Sequence, residues 1–171
     1  MKRIHKEQRG LTLLELLIAL PIAALIVAGA TAAIIQLLES SQASNHMVAL
    51  RQVQNAGYWV SKDGVQAQRV DITAPPDILI LEWTEWEGNE SYRITYSLQD
   101  MPSGSLKQLK RTEAVNGAVG TTSIIATNLV PDETGCNWTN AEKQAFTFNV
   151  TAKVGEQTET RIYEVTPRPL S

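Results

Sequence analysis

The chain has 171 residues, of which 43% are hydrophobic, a formal net charge of −3 and a single cysteine. That length holds one long helix and one modest domain, and a lone cysteine excludes an internal disulfide. Two histidines and one cysteine leave a tetrahedral zinc site of the usual ligands short of donors.

Residues 1–10 form a basic leader, with Lys2, Arg3, Lys6 and Arg9 against one acid, Glu7. An apolar run follows to about Leu38. Between Leu16 and Ile35 it has no charged residue, about the 20 positions a helix needs to cross a bilayer. The basic flank predicts that the N-terminus stays in the cytoplasm and the rest is exported. An ordinary secretory signal, cut at Ala28-Gly29-Ala30 or Ala30-Thr31-Ala32, is one reading. A retained membrane helix is the other, favoured by the length of the run and by Glu15 within it. An unpaired carboxylate there costs a few kcal/mol and calls for a partner. Cleavage after Gly10 would create an amino group on Leu11, about one helical turn from Glu15. The bland alternative is that Glu15 snorkels to the headgroup layer.

From Gln36 to about Ala67 the helical pattern continues. Apolar or small residues recur at Ala43, Met47, Leu50, Val53, Ala56 and Val60, one stripe of an amphipathic helix. Joined to the apolar run, this predicts a single helix on the order of 80 Å long. Pro75-Pro76 marks a turn. Ile78–Trp86 and Tyr92–Leu98 read as strands around a Glu87–Glu90 hairpin, and Leu106–Thr112 reads as a third. Asn116–Thr122 is expected to be a loop, Ser123–Val130 a short strand, and Pro131–Ala141 a loop. Phe146–Val154 and Gln157–Thr166 alternate around a two-residue Gly155-Glu156 turn. Adjacent short strands favour an antiparallel meander.

Function classes narrow accordingly. No nucleophile elbow or phosphate-cradling loop is present, so an enzyme is not expected and no cofactor is implied. Removing residues 1–10 takes away four cations and one anion, and the side-chain balance falls from −3 to −6. That argues against a nucleic-acid partner. Lys107, Lys110 and Arg111 are expected on a solvated strand face. Asp132, Glu133, Thr134, Asn137 and Asn140 form an oxygen-rich loop whose spacing fits no calcium motif. Cys136 is expected to be an apolar, unreactive residue.

The segment Arg9-Gly10-Leu11-Thr12-Leu13-Leu14-Glu15-Leu16-Leu17-Ile18-Ala19 closely resembles the N-terminal cleavage and methylation motif of type IV pilins and type II secretion pseudopilins. Leu11 stands where phenylalanine is commonest, and Pro21 lies earlier than the kink proline of major pilins. The stretch Leu50–Asp63 is also similar to the lower helix of minor pilins and J-type pseudopilins. The resemblance implies cleavage by prepilin peptidase after Gly10 and methylation of Leu11. It implies that Glu15 pairs with a neighbour's N-terminus during assembly. Its implied partners are other pilin or pseudopilin subunits, the inner-membrane assembly platform and membrane lipid.

The expected fold is α+β, a long N-terminal helix on an antiparallel sheet. The expected organisation is leader 1–10, transmembrane and assembly helix 11–38, amphipathic helix 39–68 and β domain 69–171. The expected function is a minor pilin or pseudopilin with a priming or tip role. It would sit in the cytoplasmic membrane with its C-terminal domain outside. The alternative is a secreted or anchored β-rich binding domain behind an ordinary signal peptide.

Overall fold

The structure is a computed structural model that describes residues 12–85 and 88–168. The chain divides into two units, 1–41 and 42–171. Helix α1 spans Leu13–Gly64. Among the described residues eight strands follow: β1 (Arg69–Ile72), β2 (Asp77–Thr84), β3 (Ser91–Asp100), β4 (Lys107–Val115), β5 (Ala118–Leu129), β6 (Gly135–Trp138), β7 (Phe146–Val154) and β8 (Gln157–Val165). The fold is α+β, as the patterning predicts. All the pairings are antiparallel, in the order β1-β2-β3-β4-β5-β7-β6, with β8 on the other side of β7.

Within the second unit, α1 turns Ala49, Val53, Ala56, Gly57, Val60, Asp63 and Gly64 inward. The steps of three and four keep these on one face. The stripe starts later than the sequence suggests, for Ala43 and Met47 are exposed. The β7–β8 turn meets the helix at Asn45, where a Cβ on Gly155 would lie 2.8 Å from the Asn45 amide nitrogen. Small residues on the stripe permit close approach. A Cβ on Gly57 would fall 2.0 Å from the Tyr163 ring, and one on Gly64 2.6 Å from Val165.

The sheet answers with alternating apolar residues. Ile94, Tyr96 and Leu98 on β3 and Phe146, Phe148, Val150 and Ala152 on β7 are buried. Each large buried side chain contributes about 1.5–3 kcal/mol relative to exposure. Strand β5 pairs with β7 only at Leu129↔Ala152. Beside this gap two helix amides serve the strand edge. Gln52 Oε1 accepts from the Thr127 N–H at 2.8 Å, and Asn55 donates to the Ile125 carbonyl. Exposed strand edges otherwise leave such groups to water.

Two expected loops are structured. Asn116 and Gly117 have φ of 53° and 81°, the left-handed pair a type I′ hairpin turn requires. Strand β5 therefore starts at Ala118, and the Asn116 carboxamide accepts from the Ser91 N–H at 2.9 Å. The segment expected as a loop after Pro131 contains a 3-10 turn, Pro131–Glu133, and then β6, which pairs with the start of β7.

Candidate functional site

Two features need a chemical account: the apolar first half of α1 and a buried charge cluster in the second unit. The first begins at Thr12. Gly10 and Leu11, the expected cleavage and methylation positions, lie outside the described residues. Thr12 stands just before the helix as its N-cap. Its hydroxyl accepts from the Glu15 N–H at 3.3 Å, while Glu15 Oε2 accepts from the Thr12 N–H at 2.8 Å and from its hydroxyl at 2.9 Å. This reciprocal pair is a capping box. A capping side chain of this kind contributes about 1 kcal/mol, and the carboxylate sits at the positive end of the helix dipole.

Every residue from Thr12 to Leu38 is exposed. The helix is long and apolar enough to cross a membrane. Thr31 returns its hydroxyl to the Val27 carbonyl at 2.9 Å, which satisfies a polar group that lipid would leave without a partner. Pro21 lies inside the helix and removes one backbone donor. Nothing lies within 4 Å of a Cβ placed on Gly29.

The second feature joins helix to sheet. Asp63, on the packed stripe of α1, is 2% exposed, and Arg111 on β4 is 8% exposed. Arg111 Nε donates to Asp63 Oδ2 at 2.7 Å and Nη2 donates to Oδ1 at 3.2 Å. Its Nη1 donates to Glu113 at 2.7 Å, and the Tyr96 hydroxyl donates to Asp63. The Arg111 guanidinium also lies 5.1 Å from the Trp59 ring centroid. Burial works against the Arg111 charge, yet the bonds to Asp63 and Glu113 hold its proton above the ordinary range. Burial, then the Asp63 charge, pushes the Tyr96 phenol upward. A paired, hydrogen-bonded cluster of this kind fixes geometry. The expected solvated position of Arg111 is thus corrected, because an inward strand position meets a helix acid. Lys107 reaches the exposed Asp100 instead.

The remaining expected positions separate. Asp132 and Glu133 occupy the 3-10 turn, Asn137 is exposed on β6, and Asn140 Oδ1 accepts from the Gln144 N–H at 3.2 Å. Among the described residues no three His, Cys, Asp or Glu side chains converge on a metal position. Cys136 is buried, which pushes its thiol up to about 12 and keeps it protonated at neutral pH. Trp83 stacks on Tyr92 at 5.5 Å across β2 and β3, while Trp86 lies outside the described residues. His46 Nδ1 lies 2.9 Å from Glu159 Oε1 and ties α1 to β8.

Residues 5–31 match the family model described as the prokaryotic N-terminal methylation motif. Comparisons with curated proteins and with solved structures return no significant match.

Proposed function

We infer the role of this chain from the premise that it is a type IV pilin-like subunit processed by prepilin peptidase, which the methylation motif at residues 5–31 supports. Within that family the chain acts as a minor pilin or pseudopilin. Prepilin peptidase cuts after Gly10, and Leu11 becomes the methylated N-terminus. The helix is then held by membrane lipid, with the C-terminal domain on the outer side. At the assembly platform its apolar surface passes from lipid to the helices of neighbouring subunits, where the subunit primes the filament or sits at its tip.

One observation carries this reading: the fully exposed apolar first half of α1, residues 13–38, holds a single carboxylate near its start. Exchange of lipid for protein gains little from hydrophobicity alone, because both surroundings are apolar. Register must then come from a polar pair. In the isolated chain the Glu15 carboxylate is occupied by Thr12. In the assembly it takes a neighbour's N-terminal amine, a stronger charge-assisted partner.

The test is Glu15→Val, read by membrane fractionation and by recovery in sheared filaments. Insertion should be unchanged and incorporation lost. Thr12→Val, which removes the cap hydroxyl but keeps the carboxylate, should retain incorporation. Normal assembly of Glu15→Val would show that register comes from elsewhere.

A further inference from the structure

A groove of about 580 Å³ opens in the second unit between the start of β1, the β6–β7 turn and the segment after β8. Val70 and Trp138 give it an apolar floor, and Arg69, Lys143 and Arg168 line it with three cations. Among the described residues that line it there is no carboxylate. In a mature chain whose balance is −6, that is a local reversal of sign.

All three cationic residues are exposed, and main-chain bonds fix where Lys143 and Arg168 leave the backbone. Lys143 has a φ of 55°, a left-handed conformation uncommon outside glycine. It is kept there by its own N–H on the Asn140 carbonyl at 3.2 Å and by the Gln144 N–H on the Asn140 side chain. The result places the Lys143 ammonium 5.8 Å from the centroid of the Trp138 ring. Trp138 is itself braced edge-on by Phe146 at 6.4 Å. The Arg168 N–H bonds the Ala67 carbonyl at 3.0 Å and fixes the third wall beside the end of α1. Arg69 has only a 3.9 Å contact with Glu82 and is 76% exposed along its side chain. Lys143 and Arg168 form no ion pair with a described carboxylate.

The geometry points to a docking groove for an acidic peptide segment of a neighbouring subunit, and this rests on the assembly reading above. Two or more carboxylates of the segment meet Arg69, Lys143 and Arg168. An apolar side chain lies on Trp138, and Gln144, which also lines the groove, offers its amide to a peptide group. Charge complementarity of this kind sets specificity and speeds encounter. An anionic lipid surface would meet the same cations, and the vesicle arm of the test separates it from a peptide.

The test uses the full chain in detergent micelles, so it does not depend on cleavage after Gly10. The probe is a labelled synthetic peptide with the sequence of residues 82–90, which carries four Glu and two Trp and no cation. Binding is followed by fluorescence polarisation. The peptide should bind, and its Glu→Gln version should bind about tenfold more weakly or worse. Lys143→Glu and Arg168→Glu should each weaken the acidic peptide by at least about tenfold with unchanged thermal melts. Equal binding of the two peptides, or variants that bind like the wild type, would overturn the assignment. So would binding of phosphatidylglycerol vesicles through the same residues with no peptide binding. Failure here together with a mature N-terminus at Leu11 would leave the pilin-like reading standing.

Discussion

Arg111→Ala tests how the second half of α1 is fixed to the sheet. The substitution removes both guanidinium bonds to Asp63 and leaves its carboxylate, 2% exposed, with the Tyr96 hydroxyl. Removing one partner of a buried pair costs about 3–5 kcal/mol, because the other charge stays behind without compensation. The surviving Tyr96 bond places this case near the lower end. At roughly 3–5 °C per kcal/mol for a domain of this size, Tm should fall by about 10 °C. The assay is thermal unfolding of the full chain in detergent micelles at pH 7, followed by tryptophan fluorescence, since Trp59 lies against Arg111. The double variant Asp63→Leu with Arg111→Met should lose less than Arg111→Ala, as neither charge remains. A loss under about 0.5 kcal/mol for Arg111→Ala would refute the reasoning. So would a double variant whose loss equals the sum of its singles.

Gly57→Ala places a methyl 2.0 Å from the Tyr163 ring, and overpacking of this kind should cost about 1–3 kcal/mol in the same melt. Tyr163→Leu should recover part of that loss by opening space. Gly117→Ala puts a Cβ at φ 81° and should cost about 1–2 kcal/mol while the rest of the sheet keeps its circular dichroism. Cys136 should resist alkylation at pH 8 in the folded chain and react at once in denaturant, because its folded thiol titrates at about 12 against an ordinary 9.0. The folded chain therefore keeps a proton that the unfolded chain releases, and stability should decline as pH rises from about 9 towards 12. A folded-state reaction as fast as that of a free thiol would contradict this placement.

Much of the architecture is written in the periodicity. Alternation marks β3, β7 and β8 because each has one face on the core, and the unbroken apolar run marks α1. Other features needed a closer reading of signals that are present. Thr12-x-x-Glu15 is a capping-box pattern before an apolar run, so the carboxylate has a partner within its own turn. Asn116-Gly117 is the strongest short hairpin signal, and it converts an expected loop into the start of β5. Asp63 follows Val60 on the packed stripe, and Arg111 shares a strand face with buried Leu109. An acid and a base each sitting on an inward face imply a buried pair, though sequence separation hides which charges meet. Strand β6 lacked a legible pattern because it is four residues long and holds β7 by backbone bonds. The helix amides Gln52 and Asn55 read as ordinary polar positions. Only the gap beside β5 gives them a role.

Everything about assembly depends on where the mature chain begins. N-terminal mass spectrometry of the protein purified from its native membrane measures that directly. A start at Leu11, carrying one added methyl group, is the result predicted here. A start near Thr31 or Ala33 would mean that the apolar helix is discarded, and would contradict the account.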